Sequence, residues 1–528
     1  MKKTLIILFA FVSFNILGQN LPKSYSLDEA KLSKANDEIQ SSNTVERIVV
    51  NGNTVWFGTS RGLSKTKDSG NSFTNFYNDD VFGTESISAV GYYDGAVWAA
   101  KWHSEKISGS NVPTGGGLVY SLNEGENWVK IEQPIDDPGD SSIVYGINNI
   151  RALPVTVPQQ NFIYQMAFTK NTIWIATFAG GLRKSTNMGQ SWQRVILPPD
   201  NLDSIKPSDQ LNFSLQPQAG NFGKESHLNH RVFSVVAVDD DTLYVGTAGG
   251  INKSIDGGIS WVKFNHANQS KPISGNFIWT MKYNRADNSL WAATWKAEGQ
   301  SEYYGISVTR DGGKSWNVFL PDEKTHDVAF NYIGTAPNLS ADDVFAATEN
   351  GLFRSNNYGN TWLLSPTIVD QKTSFRLTTN KFLAVESQKL SANEFNVWSG
   401  TDTDGLIKYF DNTGTWNGDW TIFLKSGNKI NTGETFAFPN PFSPGNEVVK
   451  IKYNNVNSSS DVTIRVFDFG MNLVRTIIQN ASRATNDNQI EIWDGKDENG
   501  KIVPNGVYFY RVDIGSDEPM FGKIMVLM

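Results

Sequence analysis

The octet "SIDGGISW" at residues 254 to 261 sets the terms for the fold, because variants of it recur along the chain: "TRDGGKSW" from Thr309, "STNMGQSW" from Ser185, "SLNEGENW" from Ser121, "SNNYGNTW" from Ser355 and "TKDSGNSF" from Thr66. A seventh, "FDNTGTW" from Phe410, has its glycine displaced. In each good copy an Asp or Asn (Asp68, Asn123, Asn187, Asp256, Asp311, Asn357) is placed to accept hydrogen bonds from the backbone of its own turn. The glycine takes a conformation that a Cβ would forbid, and the closing Trp drops into the sheet to pack. The conspicuous residues are thereby read as architecture, with no part in reactivity.

Ahead of each octet runs a second pattern: "TVWFGTSRGLSK" from Thr54, "TIWIATFAGGLRK" from Thr172, "TLYVGTAGGINK" from Thr242, "DVFAATENGLFR" from Asp343. Each reads as strand, glycine turn, strand. Further copies stand at Val97 and Trp98, Leu290 and Trp291, and Val397 and Trp398. With one earlier strand and one after the octet, the unit has four short antiparallel strands. Repeated at this spacing it predicts an all-β chain, a seven-bladed β-propeller over 45–425, because radial repetition shields the sheet edges.

The octet resembles the Asp-box, or BNR repeat, of sialidases, sortilin-type receptors, plant-cell-wall glucanases and photosystem assembly factors. That resemblance implies a propeller and says little about chemistry. A sialidase likeness would imply six blades, an arginine cluster and a Tyr/Glu nucleophile pair. Here Arg47, Arg151, Arg231 and Arg376 are scattered, and no Arg-Ile-Pro opening motif is present. A glucanase likeness would imply two seven-bladed discs facing each other across a catalytic cleft, and the chain has room for one. Glycoside hydrolysis of sialidase or glucanase type stays as the alternative to binding, and no catalytic residue is assigned.

Composition bounds the partners. A formal charge of −8 offers no basic surface for nucleic acid or anionic lipid. The first 19 residues, with Lys2 and Lys3 ahead of an apolar run from Leu5 to Phe14, have the order of a signal peptide. That run is too short to stay as a membrane span, so the mature form is expected without one. Zero cysteines exclude disulfides and a lipoprotein's acylated Cys. A secreted or outer-surface protein of a Gram-negative bacterium fits. Residues 20–44 form an N-terminal segment with a capping-box start for a short helix at Ser26 and Glu29.

If the octets lie on one face of the disc, the loops joining second to third strands, and one unit to the next, lie on the other. That face collects the long insertions: from Lys101, from Trp295, from Ile131 to Asn161 and from Leu197 to His230. They carry Trp102, His103, Tyr145, Arg151, Trp295, Tyr303 and Tyr304, the candidate binding residues for an extracellular glycan or protein. His227 and His230 are three apart, with no third ligand in view, and the acidic runs "DDD" at 239–241 and "DDPGD" from Asp136 read as solvated turns. No metal or cofactor is assigned.

After a polar linker at 426–435 comes a separate β-rich module, 436–528, with hairpin signals at Asn499-Gly500 and Asn505-Gly506. A small Ig-like β-sandwich is expected. Its "PNPF" from Pro439, "WDG" from Trp493, "VPNGVYFYR" from Val503 and "KIMVL" from Lys523 resemble the C-terminal sorting domain of type IX secretion cargo, akin to the Ig-like domain of flagellar hook-capping proteins. The resemblance implies recognition by type IX secretion machinery in the outer membrane. Met528 departs from it, standing where a basic residue is common.

Overall fold

The computed structural model describes residues 36–37, 39–216, 227–297, 299–371, 375–412, 414–425, 435–455, 460–483 and 486–528. The expected signal peptide at 1–19, the expected helix start at Ser26 and all but the last residue of the expected linker at 426–435 lie outside them. The described residues are all-β, with no α-helix.

Among the described residues, seven antiparallel sheets of four or five strands follow one another between residues 36 and 423. Sheet 1 takes 45–51, 54–59, 62–66 and 73–76 in order, and sheets 2 to 7 repeat that meander up to Asp419–Phe423. The first strand of every sheet contacts the first strand of the next, and Phe382–Lys389 of sheet 7 returns to Val45–Asn51 of sheet 1. A closed ring of radial sheets is a β-propeller.

Closure does not use an exchanged strand, since sheet 7 takes all four of its strands from 382–423. The N-terminal segment ties the ends instead. Asn36–Asp37 adds an outer strand to sheet 1. Gln40 Nε2 donates to the Phe423 carbonyl at 2.6 Å, Asn43 Nδ2 to that of Lys425 at 2.9 Å, and the Lys425 backbone N–H to Asn43 Oδ1 at 2.6 Å.

Every octet spans the turn between third and fourth strands. In the first, Thr66 Oγ1 donates to Asp68 Oδ1 (2.8 Å) and accepts from Gly70 N–H (3.0 Å), while Ser72 N–H donates to Asp68 Oδ1 (2.9 Å). Asn123, Asn187, Asp256, Asp311 and Asn357 accept the same backbone bond four residues on, at 2.8–3.0 Å. Partial burial would push the Asp311 carboxyl up, but bonds from Ser315 and Thr309 outweigh it and hold it at about 2. The displaced seventh copy behaves differently: buried Asp411 accepts from Arg354, which also grips Asp343 at 2.6 Å, and so links sheets 6 and 7.

The octet Trp was expected to pack within its own sheet. It packs instead against the preceding one: Trp128 lies edge-on to Trp56 and Phe82 of the sheet-1 region, and Trp316 meets Phe264 of sheet 4. Radial sheets diverge outward, so each junction needs a wedge of large rings near the rim. Third-strand lysines complete the joint. Lys253 lies over Tyr244 of its own sheet and donates to the Gly312 carbonyl in the next octet at 3.1 Å; Lys408 does the same from Trp398 to Ser69, at 2.8 Å.

The two long insertions between sheets do not gather on the loop-rich face. They wrap the outer rims of sheets 3 and 4. Ser204–Ile205 pairs with the last strand of sheet 4, and Arg151–Ala152 pairs with Ser214–Leu215 in a small sheet of its own. Tyr145, Ile150, Ala152, Ile205 and Leu215 are buried against Trp174 and Trp261. An exposed outer strand is a liability, and the second insertion covers that of sheet 4 by pairing with it. Asp136, read from sequence as part of a solvated turn, is buried and paired with Arg183 at 2.7 Å because the insertion presses it onto sheet 3.

His230 sits under the second insertion, Nε2 accepting from Leu197 N–H at 3.4 Å. Burial, then the neighbouring cations of His227, Arg194 and Lys263, push its pKa down to about 3. The unfolded chain takes up this proton near pH 6.5 and the folded chain only near 3, so the stability present above pH 6.5 is lost as pH falls through that window. The melting temperature should drop several degrees from pH 6.5 to 3.5, and less in His230→Leu; equal slopes in thermal melts would refute the assignment.

The C-terminal module packs a three-stranded sheet (Thr435–Phe438, Val449–Asn455, Asn486–Trp493) against a four-stranded one (Leu473–Arg483, Ser460–Phe467, Gly506–Ile514, Met520–Val526) around Phe442, Ile451, Ile464, Trp493 and Tyr510. It rests on sheet 7. Ile490 and Ile492 join the cluster of Phe375 and Trp420, and the Lys450 ammonium pairs with Asp404 at 2.5 Å, both nearly fully buried.

Candidate functional site

The first strand of every sheet carries the same irregularity: a β-bulge after its first or second paired residue, between Val45 and Arg47, Ile87 and Ala89, Ile163 and Gln165, Val232 and Ser234, Ile278 and Thr280, Thr325 and Asp327, and Phe382 and Ala384. A bulge adds an unpaired residue and re-aims its side chain. The seven extra residues are Glu46, Ser88, Tyr164, Phe233, Trp279, His326 and Leu383, one per sheet, at the end of the channel where the first strands begin. Four consecutive ones are rings.

These rings extend into a continuous arc. Trp102 stacks on Phe162 (5.4 Å between centroids), Phe162 on Tyr164 (4.2 Å), and Tyr164 meets Phe233 (4.9 Å) and Trp279 (6.1 Å). Phe233 packs on Phe277 (4.3 Å) and Phe178 (6.0 Å). Trp279 lies parallel to Trp295 at 4.7 Å, and His326 stands edge-on to Trp295 at 5.4 Å. The arc therefore crosses sheets 2 to 6. Arg47 of sheet 1 reaches over the channel, donating to the Tyr164 carbonyl at 3.4 Å with its guanidinium 6.0 Å from the Trp279 ring.

Of the residues singled out in the sequence, Trp102 and Trp295 belong to this arc. His103 lies beside it on a hairpin, 96–107 with 110–121, that replaces the expected irregular loop; its Nδ1 is 2.9 Å from Glu85. Tyr303 and Tyr304 are half-buried on the loop pinned by Glu302, which accepts from Asn276 and Ala297 N–H, and share no ring contact with the arc among the described residues. Tyr145 and Arg151 lie elsewhere, on the rim insertion: Tyr145 is buried, its hydroxyl donating to the Ile259 carbonyl at 2.7 Å, and Arg151 is exposed. Both were assigned to the mouth on loop length alone, and burial of the insertion's apolar residues moved them.

Deeper in the channel, Lys282 of sheet 5 pairs with Glu386 of sheet 7 at 2.7 Å. Burial would lower the Lys282 ammonium, but Glu386 and then Asp327 outweigh it and keep it charged. Burial pushes the Asp327 carboxyl up against the pull of Lys282. Glu386 and Asp327 thus both stand beside the Lys282 ammonium. At the mouth, His326 Nε2 lies 2.8 Å from Glu349; burial outweighs that contact and lowers its pKa, so the neutral ring donates to the carboxylate. Arg151 and Arg376 stand apart from Arg47 and Arg231, so the four arginines form no cluster. Among the described residues no three His, Asp or Glu side chains are gathered as metal ligands.

No family model matches the chain, and no curated protein matches it. Solved structures similar to it include YCF48 from Cyanidioschyzon merolae, at 14% identity over 70% of this chain and 92% of that one, with a TM-score of 0.39. The WD40 β-propeller domain of Doa1 aligns at 9% identity over 71% and 95%, with a TM-score of 0.38. PorZ, an essential surface component of the type-IX secretion system of Porphyromonas gingivalis, aligns at 12% identity over 92% and 87%, with a TM-score of 0.22.

Proposed function

We propose that this chain is an exported, seven-bladed β-propeller that captures an extracellular ligand on its aromatic mouth. Residues 1–19 act as the signal peptide and 45–425 as the propeller, joined by a linker at 426–435 to an Ig-like sorting domain at 436–528. That domain is handed to type IX secretion machinery in a Gram-negative bacterium, and the propeller works at the cell surface or beyond it. One observation carries the binding reading: the same bulge in all seven first strands delivers a side chain to one end of the channel, and four consecutive deliveries are aromatic. Packing does not demand that arrangement, because Glu46, Ser88 and Leu383 fill the equivalent positions elsewhere in the ring.

Aromatic anchors at the centre of a binding surface contribute most of its affinity. Replacing Trp279 by Ala should weaken ligand binding by about 30-fold or more, from ~2 kcal/mol at such an anchor. The ligand is first found by screening the purified propeller on a glycan array, then titrated by calorimetry. A Trp279→Ala protein that binds as tightly as the parent would remove the mouth from consideration.

A further inference from the structure

Three cations lie on the aromatic arc without an ion pair among the described residues. The Arg47 guanidinium is 6.0 Å from the Trp279 ring centroid, Arg231 is 5.3 Å from that of Phe178, and the Lys324 ammonium is 4.3 Å from that of Trp295. Among the described residues, Arg47 donates only to the Glu46 and Tyr164 carbonyls, and the charged ends of Arg231 and Lys324 make no hydrogen bond. Elsewhere in the ring Arg183 and Arg354 are matched by Asp136 and Asp343, and Lys263, Lys253 and Lys408 donate to backbone carbonyls. Glu349 is occupied by His326 and Lys381, Glu85 by Lys101 and His103, and Glu302 by Asn276 and Ala297 N–H. Glu46 stands on the bulge ring beside Arg47; burial pushes its carboxyl up against the pull of Arg47, and the two side chains form no ion pair among the described residues. A chain of formal charge −8 thus keeps three cations of its mouth free of ion pairs among the described residues.

Resting on the binding reading above, we infer that the mouth takes an acidic polysaccharide of the uronate type, whose sugar faces stack on the arc while their carboxylates meet Arg47, Arg231 and Lys324. A neutral ligand covering this surface would strip water from three unmatched charges and return nothing for it. An anion without an apolar face would waste the rings. A pyranuronate joins both features in one small unit, an apolar C–H face and a carboxylate on the same ring. That matches the thrice-repeated pairing of one cation with one aromatic face at 4.3–6.0 Å. An acidic peptide must instead alternate separate residues to present the two features, and it is the competing ligand in the test.

The exported chain is titrated by calorimetry with hexagalacturonate, with its full methyl ester, with cellohexaose and with hexaglutamate. Hexagalacturonate should bind, the ester and cellohexaose at least about tenfold more weakly, and hexaglutamate weakly or not at all. Arg231→Gln and Lys324→Gln should each weaken hexagalacturonate about threefold to tenfold with unchanged thermal melts, and Lys324→Arg should keep it. Equal binding of the ester or of cellohexaose overturns the inference. If that binding is still lost in Trp279→Ala, the mouth remains the binding site and only the ligand class is wrong. Tight binding of hexaglutamate without hexagalacturonate assigns a peptide ligand and overturns it too. Binding of none of the four overturns it outright.

Discussion

Deleting residues 436–528 should abolish delivery to the cell surface and leave the propeller in the periplasm. Retention alone would be ambiguous, because the module is not a loose tail. It buries Lys450 against Asp404 and covers Phe375 with Ile490 and Ile492, so its loss bares an apolar patch on sheet 7 and can lower stability by itself. Asp404 keeps its bonds from Thr378 N–H and Oγ1, which lessens the penalty of losing the ammonium. Two measurements separate the effects. A periplasmic product that still melts cooperatively is folded and untransported. The module has its own core around Ile451, Ile464, Trp493 and Tyr510, so fused behind a neutral periplasmic reporter it should carry that reporter to the surface. Surface display of the truncated chain, or a fusion that stays in the periplasm, would end the sorting assignment.

What the sequence reveals about this molecule follows the range of the forces involved. The octets are legible because their demands are local: Asp256 holds a backbone N–H only four residues away, and Gly258 sits at φ 78° in the same turn. Hairpins announced by glycines are legible for the same reason. The path of the insertions is not, since loop length says nothing about direction. Tyr145 and Ile205 went to the rim because burying apolar residues against Trp174 and Trp261 outweighs any preference for an open face. The mouth is half legible. Trp102 and Trp295 sit in obvious insertions, whereas Tyr164, Phe233 and Trp279 hide in first strands where a bulge breaks the two-residue alternation that sequence reading depends on. The readable signal is a pair, aliphatic then aromatic, opening a strand: Ile163-Tyr164, Val232-Phe233, Ile278-Trp279. Arg47 could not have been placed at all, because its contacts with Tyr164 and Trp279 cross a ring that exists only once it has closed.

Gly313→Val should be among the most damaging single substitutions in the ring, at about 3–5 kcal/mol. Two costs add there. Gly313 has φ 102°, which a β-branched residue resists. A Cβ on it would also run into the ring of Phe264 in the preceding sheet, which packs edge-on against Trp316. Its neighbour supplies the control. Gly312 also has positive φ, at 75°, but a Cβ there meets only the flexible tip of Lys253, so Gly312→Ala should cost about 1 kcal/mol. Asp311→Asn should be close to neutral, since Asn123, Asn187 and Asn357 accept the same backbone bond in sister turns, whereas Asp311→Ala orphans Ser315 N–H and should cost about 1–2 kcal/mol. Guanidinium unfolding followed by tryptophan fluorescence ranks the four. The order matters more than any one value: loss greatest at Gly313 means that the octets hold sheet to sheet, whereas loss greatest at Asp311→Ala would mean that they merely shape their own turns. Because the ring is closed, a junction weakened between sheets 4 and 5 cannot open without straining the other six, so Gly313→Val should lower the midpoint of the propeller's transition without splitting it in two.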